Sequence, residues 1–116
     1  MRADPVAALC DEGEALLEAR SPADALFGWL RSYITTKRDL TDGPRSQLFE
    51  DWHESMHAAA SALLTRAQRS GVVRPDLTAT DLLTMANGIA LASTDPDQTL
   101  RLLRFLRQGT APPQVS

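Results

Sequence analysis

The sequence predicts an all-α domain: five helices, six at most, folded as an antiparallel bundle. Three observations predict it. Helix-starting residues punctuate the chain ahead of each apolar stretch, in "DPV", "SPAD", "LTATDLL" and "TDPDQ". Within those stretches apolar residues recur three and four apart, the spacing of one helix face. No segment alternates with period two over enough residues to make a strand, and "GVV" is too short to count. With 116 residues and 43% hydrophobic side chains, the chain buries one modest core. It reads as one domain over residues 1–110 with a frayed tail at 111–116.

The first helix opens with Asp4 as N-cap and Pro5 at its first position, and Val6, Leu9, Cys10, Leu16 and Leu17 mark its apolar face to about residue 20. Ser21, Pro22 and Asp24 start the second, whose face is Leu26, Trp29, Leu30, Tyr33, Ile34 and Lys37. "TDGPR" at 41–45 breaks that pattern, since Gly and Pro together stop a helix. The third helix spans about 46–69 and buries Leu48, Phe49, Trp52, Met56, Ala59, Ala60, Leu63, Leu64 and Ala67; Gly71 ends it in a left-handed cap. Thr78 and Asp81 then spell a capping box inside a Leu77–Leu82 staple. In the fourth helix Gly88 costs about 1 kcal/mol relative to Ala, which points to close approach by another helix. Asp95 and Pro96 start the last helix and Gly109 stops it.

Composition excludes several function classes. Cys10 is the only cysteine, so there is no intramolecular disulfide and no Cys-rich metal site; a small buried hydrophobe in a reducing cytoplasm is the plain reading. No stretch approaches the roughly 20 apolar residues of a membrane span, and "MRADPVAALC" is too short and charged for a secretory signal. A cytoplasmic protein with no membrane partner is expected. The net charge of -3 argues against binding nucleic acid through a broad electrostatic surface.

"HESMH" at 53–57 has the His-Glu-x-x-His spacing of a zinc hydrolase, with His53 and His57 on one helix face as alternative metal ligands. A catalytic zinc needs a third protein ligand, and the chain has no third histidine. The downstream carboxylates Asp76, Asp81, Asp95 and Asp97 read as turn and cap residues. The favoured reading places both imidazoles at the edge of the face carrying Phe49, Trp52 and Met56, with no metal, no cofactor and no catalysis.

The stretches "SPADALFGWLRSYITTKRDL", "LLTRAQRSGVVRPDLTATDLL" and "DQTLRLLRFLRQG" together resemble the C-terminal domain of TetR-family transcriptional regulators of the SbtR-like group. The helix end, Arg-Pro-Asp turn and capped helix in the second stretch are the most specific part. The resemblance covers residues 6–109 and implies an effector-binding and dimerisation domain, with DNA read by an N-terminal helix-turn-helix region absent from this chain. Similar domains commonly hold a further short helix where this chain has "TDGPRSQ".

By position, the resemblance implies a cavity for a small hydrophobic effector lined by Trp29, Tyr33, Phe49, Trp52, His53, Met56 and Met85, with Tyr33, His53 and His57 as polar handles. The last helix also carries more apolar surface than one neighbour covers, with Arg101, Arg104 and Arg107 on its remaining arc. The resemblance implies a homodimer in which the last two helices of each subunit form a four-helix bundle. Leu83, Ala86, Ile89, Ala90, Leu100, Leu103 and Leu106 are the interface residues expected.

Overall fold

In a computed structural model of the protein, residues 5–39 and 53–112 are described, and among them are five helices and no strand. They are α1 (Pro5–Leu16), α2 (Pro22–Asp39), α3 (His53–Arg69), α4 (Ala79–Ala92) and α5 (Pro96–Gly109). The expected break at 41–45, the opening of the third helix with Phe49 and Trp52, and the last four residues lie outside the described residues.

The caps form as their chemistry dictates. Ser21 Oγ accepts the Asp24 amide at 3.2 Å. Thr78 and Asp81 satisfy each other's backbone N–H groups at 3.1 and 3.3 Å, a complete capping box. Asp95 accepts the Gln98 amide at 2.8 Å with Pro96 in the first turn. Gly71 adopts φ +76° after α3, a conformation that a side chain would strain.

One boundary differs from expectation. α1 ends at Leu16, earlier than residue 20, because Leu17, Glu18 and Ala19 bond carbonyls three residues back and tighten the chain into a turn. Arg66 of α3 then donates to the Leu16 carbonyl at 3.3 Å and to the Ala19 carbonyl. A guanidinium at a helix C-terminus satisfies orphan carbonyls and complements the dipole.

α2 is the central helix and packs on all four others. Its Leu26, Trp29, Leu30 and Ile34, at helical spacing, have no exposed surface, and burial of each such side chain contributes roughly 1.5–3 kcal/mol before entropy. α3 adds Met56, Ala60, Leu63, Leu64 and Ala67 to the same core. Where α1 crosses α2 and α3, the indole Nε1 of Trp29 donates to the Leu9 carbonyl at 2.9 Å. Gly13 makes room for this: a Cβ there would lie 3.1 Å from Ala59 Cβ and 3.2 Å from Trp29 Nε1. Cys10 packs half-buried beside this core.

α1 runs in the same direction as α3, since Gly13 meets Ala59 and the end of α1 meets Arg66. α2 and α5 are antiparallel: Asp24 pairs with Arg107 at 2.8 Å at one end, and Arg38 donates to Thr99 at 2.8 Å at the other. Between α3 and α4, Gln68 Nε2 donates to the carbonyls of Arg74 and Leu77 at 3.1 and 2.8 Å while Val73 is buried. The Arg74 amide donates to the Thr110 carbonyl, tying that turn to the end of α5. Thus α4 and α5 are held as a hairpin on the outside of α2.

Candidate functional site

α4 presents two chemically different faces. Leu82, Leu83, Ala86 and Ala90 point into the core. On the opposite side Met85, Gly88 and Ile89, together with Leu102, Phe105 and Leu106 of α5, line an open groove of about 950 Å³. Phe105 is 53% exposed and Met85 37%. Arg74, Asp76, Asp81 and Thr84 also line it, but it is a mainly apolar strip along a helix pair that no other described residue covers, and strips of that kind mark interaction surfaces.

One polar contact joins α4 to the core helix α2. Tyr33, buried and stacked on Trp29 with ring centroids 5.6 Å apart, donates its hydroxyl to Asn87 Oδ1 at 3.1 Å. Burial pushes the Tyr33 phenol above its usual range, opposed by the bond to Asn87, so the group stays a neutral donor. Two turns earlier on α4, at the surface, Thr80 Oγ1 lies 3.3 Å from His57 Nε2 of α3. Asn87 and Thr80 are the residues that sequence reasoning missed. An asparagine inside "MANGIALA" was the available signal, since a polar side chain in an otherwise apolar helix needs a partner.

Several expected site residues sit elsewhere than their expected roles require. Trp29, Tyr33 and Met56 belong to one buried cluster, while Phe49, Trp52 and the His53 side chain lie outside the described residues. Met85, expected at the cavity, lines the outer groove instead. Of the expected interface residues, Ile89 and Leu106 line the groove, whereas Leu83, Ala86, Ala90 and Leu103 are buried within the subunit and have almost no surface left to offer. Leu100 faces a separate cleft between α2 and α5. The physical reason is the 100° step per residue. Thr80, Asp81, Thr84 and Asn87 mark one polar side of α4, but apolar residues fill the rest of its circumference, so the pattern leaves open which of them turn inward, and packing on α2 and α3 decides. No atom of the described residues approaches a Cβ position at Gly88 within 4 Å, so the close helix approach expected there is not made by a described helix of this chain.

The chain matches the transcriptional regulator SbtR-like C-terminal domain over residues 21–112. It belongs to that family. The crystal structure of the TetR transcriptional regulator SCO0520 from Streptomyces coelicolor is similar to it with a TM-score of 0.79 and 30% sequence identity, covering 95% of this chain and 70% of that one. No curated protein sequence matches the chain. The five-helix arrangement is therefore that of a TetR-type C-terminal domain, the regulatory half of such proteins.

In this TetR-type domain three of the four carboxylates considered as partners for the histidine pair are already engaged, and Asp97 stands in the first turn of α5. Asp81 belongs to the capping box, Asp95 caps α5, and Asp76 accepts from Arg74 Nε at 2.6 Å. The Arg74 guanidinium, by hydrogen bond and charge, holds Asp76 below the usual carboxylate range. Among the described residues no three His, Cys, Asp or Glu side chains gather to hold a metal, and no helix is long and apolar enough to cross a membrane. Of the arginines expected to form a solvated arc on α5, Arg107 pairs with Asp24 and lies 5.3 Å from the Phe27 ring centre, and Arg104 lies over Phe105.

Proposed function

We propose that this domain senses a small hydrophobic effector and forms the homodimer of a TetR-like cytoplasmic regulator, binding rather than transforming its ligand. Two copies would bury their α4–α5 grooves against each other as a four-helix bundle, with Gly88 admitting the partner's backbone. The effector would enter among Trp29, Tyr33 and Met56, taking a hydrogen bond from the Tyr33–Asn87 or His57–Thr80 pairs. One observation carries the reading. Asn87 faces the buried tyrosine while its neighbour Gly88 faces the groove, so the interior and the outer strip read the same helix. A ligand that favours one setting of α4 would thereby reset the spacing of two helix-turn-helix regions, provided that it binds the two settings unequally.

Sedimentation equilibrium on the wild-type chain and on Ile89→Arg tests the dimer. The expected result is a dimer at micromolar concentration that becomes a monomer with an unchanged helical circular dichroism spectrum in the variant. A wild-type monomer at about 100 μM, a weaker association than any stable interface of standard size, would refute it. A panel of hydrophobic small molecules should raise the melting temperature of the wild type, since a ligand for the folded state must do so.

A further inference from the structure

We infer that the cleft between α2 and the start of α5 binds a small organic oxyanion, a molecule bearing carboxylate or phosphate groups. The cleft holds about 310 Å³ and is lined by Arg31, Thr35 and Arg38 of α2 and by Pro96, Thr99 and Leu100 of α5. Positions i, i+4 and i+7 share one helix face, so the two guanidiniums flank a hydroxyl over a rise of about 10 Å. Among the described residues no carboxylate lines the cleft.

Arg38 is held in place from beneath. Its Nη1 donates to Thr99 Oγ1 at 2.8 Å, and Thr99 is buried with its hydroxyl 2.8 Å from Ser93 Oγ, which in turn donates to the Ile89 carbonyl. One of five guanidinium N–H donors is thus spent on orientation, and the remainder are left for an acceptor. Arg31 has neither an ion pair nor a hydrogen bond among the described residues, and Arg38 has no ion pair there.

Arg20, Arg69, Arg101 and Arg104 also lack an ion pair among the described residues, but none of them lines this cleft beside a second guanidinium. Arg74 and Arg107 each have an aspartate, and Arg66 has two helix-end carbonyls. Glu12 in the adjoining cleft is the competing acceptor for Arg31, but its Oε2 takes the Ser32 hydroxyl at 2.9 Å. Two like charges on one face of a helix repel, and a bound oxyanion removes the repulsion while taking charge-assisted bonds from both. The volume lies at the small end of ligand sites, and Leu100, 41% exposed at the rim, offers contact to a carbon body.

Calorimetric titration of the intact chain with citrate, succinate and inorganic phosphate, each at ionic strength matched with sodium chloride, tests this. Saturable binding of at least one probe at millimolar or lower concentration is expected, and which probe binds separates carboxylate from phosphate. Arg31→Gln should weaken it at least about tenfold, with the melting temperature in the absence of probe unchanged because the Arg38–Thr99 bond remains. Arg69→Gln, at an exposed arginine remote from the cleft, should bind as the wild type does. Failure of all three probes to saturate the wild type, or equal affinity in Arg31→Gln, would overturn the inference.

Discussion

Gly13→Ala sets two effects of known size against each other. In an ordinary helix interior this change stabilises by about 0.8–1 kcal/mol, because glycine has more backbone freedom to lose. At Gly13 the added methyl would sit 3.1 Å from Ala59 Cβ and 3.2 Å from Trp29 Nε1, inside the 3.5–4.0 Å at which carbon contacts become favourable. Neither neighbour yields easily, since one is a Cβ fixed to helix α3 and the other is an indole held to the Leu9 carbonyl. Overpacking of a tight core costs about 1–3 kcal/mol, and a weakened buried hydrogen bond adds about 1 kcal/mol. The net expectation is a loss of about 1–3 kcal/mol, or about 4–12 °C in melting temperature for a domain of this size. Gly28→Ala is the matched control: it lies inside α2, is exposed, and a Cβ there meets nothing within 4 Å, so a gain of up to about 1 kcal/mol is expected. Urea unfolding followed by circular dichroism at one fixed protein concentration reads both. A Gly13→Ala variant as stabilised as Gly28→Ala would refute the proposed packing of α1.

Thr78→Ala should cost about 0.5–2 kcal/mol in the same assay by removing the N-cap of α4. Tyr33→Phe should cost about 1–2 kcal/mol by leaving Asn87 without its donor, with no change in sedimentation. Arg107 lowers the Asp24 pKa by hydrogen bond and charge, so the folded state holds that carboxylate ionised more readily than the unfolded chain does. The contribution is present above the usual carboxylate range and is lost as pH falls through the depressed value. Both groups are exposed, so the effect is small and screened by salt. A carboxyl NMR titration should show the Asp24 value moving up in Arg107→Gln.

What the sequence made legible was local. Ser21, Thr78 and Asp95 reveal helix starts because each cap uses atoms three residues apart, and Gly71 reveals an end because its backbone conformation is intrinsic to the residue. On α5 the excess of apolar surface was legible, but of the residues expected to present it, Leu100, Leu103 and Leu106, only Leu106 lines the outer groove beside Leu102 and Phe105. The family resemblance carried the effector and dimer roles. What sequence pattern left open was rotation and long-range pairing. Nothing in "DLLTMANGIALA" ranks Leu83 above Met85 as a core residue, because both are apolar. The contacts that settle it come from α2, 54 residues away in the case of Tyr33 and Asn87. Leu100 shows the same limit: an apolar residue on an amphipathic helix can face either of two grooves, and here it lines the cleft beside Thr99, which Arg38 bonds.

Asn87 bears on the ambiguity of α4, because its half-buried amide meets the hydroxyl of the buried Tyr33. A helix that is apolar on most of its circumference gains nearly the same burial in several rotational settings, so hydrophobic burial alone selects none of them. An asparagine changes that, because it favours a setting in which its amide keeps a partner, here the Tyr33 hydroxyl. With Tyr33 as that partner, Leu82, Leu83 and Ala86 are committed inward and Met85, Gly88 and Ile89 outward. The bond adds little net stability, about 1 kcal/mol, but it discriminates between settings by the larger cost of losing it. The same bond thus fixes which residues an outside partner can meet and places the polar end of the interior beside the helix that would carry a signal outward.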